Sequence, residues 1–341
     1  MLLAGDRMRW SEWSSMTTAL SPNPSLAPIA PSLRTRRSVG DRAFWLLTLA
    51  AGLSVLAVLV LIAYYTTKEA WPIFRDRAGQ FLFTTRWAPS ENKFGTLAFT
   101  FGTAVTSIIA LVFAVPLSIG IALFITEVAP GWLKRWVIAV LDLLAVVPSV
   151  VFGLWGVLVL AKPIQKFYVH VSNVLGPIPV LGRFFKGPTQ GRSFFTAGLI
   201  LAIMIIPIIT SLSRSVFDTT PSAEKDAALA LGATRWEMIR GAVFSHSKGG
   251  VVGAVTLGLG RAMGETIAAA LVIGSNPQIT AKLFGNGYSM PSVIANEFGE
   301  SSQLWRAALI GLGVVLFVIT IVVNLSARTI VQRSAKRTRG E

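Results

Sequence analysis

Residues 43–65 read AFWLLTLAAGLSVLAVLVLIAYY, a run without one charged side chain. At about 1.5 Å rise per residue, such a run is long enough as a helix to cross a hydrocarbon core about 30 Å thick. Residues 96–125, 136–161, 194–212, 249–274 and 305–325 pass the same test, so six spans are expected. Of the 341 residues, 53% are hydrophobic and only 14% charged, against about 25% charged in an ordinary soluble domain. The chain therefore reads as an all-α integral membrane protein with six transmembrane helices. Domain organisation follows directly. Residues 1–42 form a cytoplasmic tail, Ser/Pro/Ala-rich and disordered over the first 33; residues 43–327 are the membrane domain; residues 328–341 are a basic cytoplasmic tail. Met16 is an alternative initiator to Met1 or Met8. The first apolar run is too long, and starts too far in, for a secretory signal.

Charge sets orientation. With both termini in the cytoplasm, eighteen Lys and Arg lie inside and twelve outside, with Arg261 left within a span. Arg34, Arg36, Arg37 and Arg42 stand directly before the first helix, the strongest part of this inside bias. Trp45, Tyr64, Tyr65, Trp132, Trp136 and Trp305 sit at span ends, as interfacial anchors do. The net charge of +15 is thus explained without nucleic acid. Zero Cys removes disulfides, thiolate metal sites and Cys nucleophiles, and two His, His170 and His246, are too few for a His-based metal centre. No nucleophile–base pair or ligand set can be assembled, so no catalytic and no metal-binding residues are expected.

Between the fourth and fifth spans, residues 214–248 are too long for a tight connection. Thr220 is placed to cap a helix with Pro221 at its first position, Ala223 to Leu231 favour helix, and Gly232 supplies the stop. Thr234 and Glu237 then form a capping box around Arg235 and Trp236. Two short helices hinged at Gly232 are expected, a handle for a cytoplasmic partner or a surface decoration.

Here the residues resemble a family. DAALALG at 226–232 is similar to the E-A-A-x-x-x-G core of bacterial ABC importer permeases, with Asp226 for Glu; it departs where I-x-L-P should follow, with Ala242, Phe244 and Ser245 in those places. PSVVFGLWG at 148–156, GRAMGET at 260–266, GSNP at 274–277 and IANEFGE at 294–300 resemble the PstC-type permease subunits of phosphate-specific importers. The resemblance implies a type I ABC importer permease fold with a helical cytoplasmic coupling loop in a bacterial inner membrane. It implies four kinds of partner: a second, PstA-type permease, two copies of an ATP-binding subunit, an extracytoplasmic phosphate-binding protein and membrane lipid. Asp226, Ala227, Ala228, Gly232, Ala233, Thr234, Arg235, Trp236 and Glu237 would couple to the ATPase. The chain has no G-x-x-x-x-G-K-[ST] loop. It is therefore expected to carry no cofactor and to be no enzyme, with ATP and Mg²⁺ on the partner.

Arg261 and Glu265 are charges within a span, retained only with a partner or a polar cavity. Their i, i+4 spacing on one helix face fits a structural ion pair, or an anion station in which Arg261 offers a bidentate fork and Glu265 accepts from a protonated phosphate oxygen. The resemblance puts both in the translocation path. Ser149, beside Pro148 in the third span, offers a hydroxyl to the anion or back to its own helix. Gly260 and Gly264 form a G-x-x-x-G step for packing within the chain or against the partner permease. Asp142 is read as paired or wet, Pro116 and Pro207 as kinks. Competing readings are a permease for another oxyanion such as sulfate, and an ATPase-independent secondary transporter or channel. A carboxylate acceptor favours phosphate, since sulfate has no proton to donate.

Overall fold

The computed structural model describes residues 39–185, 187 and 190–339; most of the expected N-terminal tail lies outside them. Helix α1 (Val39–Phe83) is the first described element. Residues up to Leu59 form one unit and Val60 onward a second. In the first, every residue from Gly40 to Leu59 is exposed, as an apolar helix in lipid should be. Within the second unit α1 is kinked at Arg77, whose φ of −142° is non-helical, before it continues to Phe83.

A two-residue hairpin follows, β1 (Trp87–Ala88) antiparallel to β2 (Lys93–Phe94) with Trp87 opposite Phe94. Then come α2 (Leu97–Leu123), α3 (Gly131–Val146), α4 (Ser149–Trp155) and α5 (Ala161–Leu175). After the short α6 (Gly182–Phe185) comes α7 (Phe194–Phe217), the centre of the bundle. Ala197, Ile200, Leu201, Ile205 and Ile209 of α7 are all buried. Helix α2 lies closest to it: a Cβ on Gly198 would stand 2.5 Å from Ile109, and Ser118 Oγ donates to Ile206 O at 3.2 Å. The loop after α7 contributes α8 (Ser222–Ala230) and α9 (Arg235–Met238), and the chain returns through α10 (Phe244–Gly264) and α11 (Ile267–Val272). Helix α12 (Met290–Glu297) and the long α13 (Gln303–Arg339) complete it.

Among the described residues five helices are long and apolar enough to cross a membrane: Gly40–Phe83, Leu97–Val128, Ser149–Leu175, Phe194–Asp218 and Gln303–Thr329. Two of the expected spans are corrected. The third runs from Ser149 to Leu175 instead of 136–161, because Val147 and Pro148 are both extended, with ψ of 125° and 143°. Proline crowds the residue before it out of the helical region, so the chain breaks here and α3 is a separate helix. The fifth is not one helix over 249–274: it stops at Gly264 and restarts at Ile267. Pro116 and Pro207 lie inside the continuous α2 and α7. Helix α13 passes position 328, the expected start of the tail, without a break.

At the end of the bundle where α13 begins, Glu297 ties three elements together. Its Oε2 accepts from Trp87 Nε1 at 2.9 Å and from Trp305 Nε1 at 3.2 Å. Burial pushes its carboxyl above the ordinary range, against the pull of the two indole donors. The α8–α9 loop lies at the other end.

Candidate functional site

Helix α10 has two stripes of small residues with opposite surroundings. On one, Gly250, Ala254, Gly258 and Ala262 face the bundle; a Cβ on Gly250 would stand 2.4 Å from Val216 and one on Gly258 2.7 Å from Ile209. This is the small-xxx-small packing that membrane helices use for close approach. On the other, Gly253, Gly260 and Gly264 have nothing within 4 Å of an added Cβ. The expectation that Gly260 and Gly264 pack within the chain is therefore corrected: the packing step is one helical face away.

That open stripe lines a cleft of about 940 Å³, with Thr256, Arg261 and Glu265 on its wall and Asn324 and Arg328 of α13 opposite. The cleft brings Arg261 and Glu265 together, though not as an i, i+4 pair. Helix α10 ends at Gly264, and Glu265 is extended, with ψ 126°. Glycine is a poor helix former, and Thr266 Oγ1 donates to Gly264 O at 3.2 Å, competing with the helical pattern. Glu265 Oε1 instead accepts from Ala268 N, at a long 3.4 Å. Among the described residues Arg261 makes no ion pair with it. The two groups are thus free to engage a third. Breaks of this kind within a membrane helix leave backbone groups that need a polar cavity.

Ser149 is not in the lining. It is the first residue of α4, which packs against α11: Gly153 lies over Ala268 and Leu271, Gly156 over Val272 and Ile200. The glycines of PSVVFGLWG serve that close contact. Asp142 is exposed and, with Thr210 and Arg214, borders a small separate cavity. Sequence reasoning assigns no role to Thr256, Asn324 and Arg328 in the cleft. The i, i+4 spacing of the last two on an apolar helix is the signal that could have found them.

The second region is the loop. Helix α8 starts at Ser222 with Pro221 in the cap position; Thr220 is not the cap, and its hydroxyl lies 3.4 Å from Ser247 Oγ instead. A Schellman motif ends α8. Gly232, at φ +86°, donates to Leu229 O and Ala233 donates to Ala228 O, at 3.0 and 3.2 Å. The capping box forms as expected: Glu237 N donates to Thr234 Oγ1, and Thr234 N donates to Glu237 Oε2 at 2.8 Å. The Thr234 backbone and hydroxyl hold the Glu237 carboxyl below its ordinary range. Lys225 Nζ meets Glu127 Oε1 at 2.6 Å, and Met238, Ile239 and Val243 pack on Phe217 and Ala122. The opposite face is open: Leu231 is 90% and Trp236 64% exposed, with Asp226, Ala227 and Arg235 beside them. A large exposed apolar pair on an anchored loop marks an interaction surface.

The family model for the inner membrane component of binding-protein-dependent transport systems matches residues 114–340. The phosphate transport system permease protein PstC of Xylella fastidiosa strain 9a5c is 40% identical over 324 residues, covering 94% of this chain and 99% of the relative. The Haemophilus influenzae PstC is 42% identical over 293 residues, 85% of this chain and 92% of the relative. PstC 2 of Mycobacterium tuberculosis is 41% identical over 320 residues, 92% and 98%. A bacterial ABC transporter involved in importing the acidic polysaccharide alginate matches the structure with TM-score 0.55 at 17% identity, over 86% of this chain and 96% of that one; this likeness concerns the fold.

Proposed function

From this chain's membership of the binding-protein-dependent transport inner membrane component family, as a PstC-type permease of a phosphate ABC importer, we propose that phosphate crosses along the α10–α13 cleft. One observation carries this reading: Arg261 and Glu265 stand at the break of α10, on the wall of one cleft and unpaired with each other. Arg261 offers two parallel N–H donors to the oxyanion, a geometry that Lys lacks. Glu265, already weakly engaged by the Ala268 backbone N–H, accepts from a protonated phosphate oxygen. Ser149 is assigned no contact with the anion.

The chain is a multi-pass inner-membrane permease that works with ATPase and permease partner subunits. The finer assembly belongs to the proposal: one PstA-type permease, two copies of the ATP-binding subunit and an extracytoplasmic phosphate-binding protein. ATP and Mg²⁺ then belong to the ATP-binding subunits, which hydrolyse ATP, and the α8–α9 loop is the docking handle through Leu231 and Trp236. That places the loop, and with it both termini, in the cytoplasm, in agreement with the inside bias of Lys and Arg. Residues 1–42 and 328–341 are then cytoplasmic extensions of the membrane domain.

The test is Arg261→Lys, which keeps the charge and removes the fork. Losing a charge-assisted bidentate contact costs about 1.5–3 kcal/mol, so uptake of labelled phosphate into vesicles should fall about tenfold or more per assembled complex. Near-normal uptake by the Lys variant would sink the reading of Arg261 as an anion contact.

A further inference from the structure

The path does not end at Arg261. Helix α10 leaves the loop end at Phe244, and Arg261 lies three residues from its far terminus; α13 runs the opposite way, with Arg328 twenty-five residues from its start at Gln303. Arg261 and Arg328 therefore stand at opposite ends of the same cleft. Between them the α10 wall is Gly260, Leu257, Gly253, Val252 and Gly249, with Thr256 the one hydroxyl. From Arg261 to Gly249 is about 18 Å at helical rise, well beyond the screening length of about 8 Å in physiological salt. The backbone N–H groups along this wall are spent within the helix. An oxyanion released by Arg261 would have no strong donor before the loop end.

We infer that Asn324 and Arg328 form a second station for a tetrahedral oxyanion, taking phosphate from Arg261 at the loop end of the cleft. The two are i, i+4 on α13 and both line the cavity. Among the described residues Arg328 has no ion pair, and the one carboxylate of the lining, Glu265, is at the far end. Arg328 supplies the fork; the Asn324 amide both donates to an anion oxygen and accepts from its hydroxyl. Two separated sites also fit transport: binding must be strong enough to draw the ion in and divided enough to let it go. The inference rests on the cleft being the phosphate path.

The same chemistry suits the phosphate of a lipid headgroup, so the experiment separates the two sources. The whole complex carrying Arg328→Gln, Asn324→Leu or Arg261→Lys is reconstituted with internal ATP, in vesicles of phosphatidylcholine alone or mixed with phosphatidylglycerol. Labelled inorganic phosphate uptake is read at saturating external phosphate, normalised to assembled complex. Arg333, Lys336, Arg337 and Arg339 still supply the orientation signal. Arg328→Gln should lower maximal uptake about tenfold, the equivalent of one lost charge-assisted pair, equally in both lipid mixtures. Asn324→Leu should lower it in the same direction. If Arg261→Lys fails while Arg328→Gln transports normally, the second station is overturned and the reading of the cleft stands. A deficit in Arg328→Gln confined to phosphatidylglycerol vesicles overturns it in favour of a lipid site. Normal uptake by Arg261→Lys removes the premise itself.

Discussion

Replacing Gly232 with Val tests the coupling loop through a single backbone conformation. Gly232 sits at φ +86°, the left-handed region. Nothing lies within 4 Å of an added Cβ there, so a side chain meets no neighbour and the whole cost is backbone strain. For an L-residue that cost is about 1–2 kcal/mol, and a β-branched residue falls at the upper end. If Val abandons φ > 0, the chain loses the Gly232–Leu229 and Ala233–Ala228 hydrogen bonds that turn α8 into the Thr234 cap. About 2 kcal/mol shifts the ratio of formed to frayed loop roughly thirtyfold. The rest of the chain should be spared, since Lys225–Glu127 and the Met238–Phe217 cluster anchor the loop on either side. The assay is co-purification of the ATP-binding subunit, with phosphate uptake measured against ATP hydrolysis. Gly232→Val should insert normally yet show weak assembly or uncoupled hydrolysis. Gly232→Asn, which tolerates the left-handed region, should recover most of it. Wild-type coupling in the Val variant refutes the argument, and an Asn variant as damaged as Val shows that strain is not the cause.

Two further outcomes are expected. Gly258→Leu drives side-chain atoms into Ile209, already 2.7 Å from an added Cβ, and should destabilise the permease by about 1–3 kcal/mol; Gly260→Ala, with open space around it, should leave the chain's own melting temperature unchanged, and equal loss in both would contradict the two-stripe account of α10. Glu297 has a folded-state pKa raised by burial, so its contribution is complete below the unfolded carboxylate value and declines as pH rises through the raised one. Glu297→Gln should flatten that decline in thermal melts across the carboxylate range, and an unchanged pH profile would refute it.

Much of this protein is legible one segment at a time. Four of the six apolar runs, the capping box of Thr234 and Glu237 and the stop at Gly232 form as local chemistry dictates, since each depends on residues close in sequence. The failures occur where a local signal has two structural outcomes. Pro148 can kink or break a helix, and the extended backbone at Val147 shows a break. Spacing i, i+4 places Arg261 beside Glu265 only if the helix continues, and it ends between them. Likewise, G-x-x-x-G identifies a surface suited to close packing but not what packs there. By itself the sequence determined that this is a membrane bundle with a folded loop and an Arg and a Glu held within it, because hydrophobic length, capping and the cost of buried charge act over short distances. Only the tertiary structure decided which stripe of α10 meets Ile209 and which lines a cleft, and that Asn324 and Arg328, some sixty residues away, line that same cleft. Helix rotation and pairing are set by the sum of many weak contacts between distant segments, and no single stretch of chain records that sum.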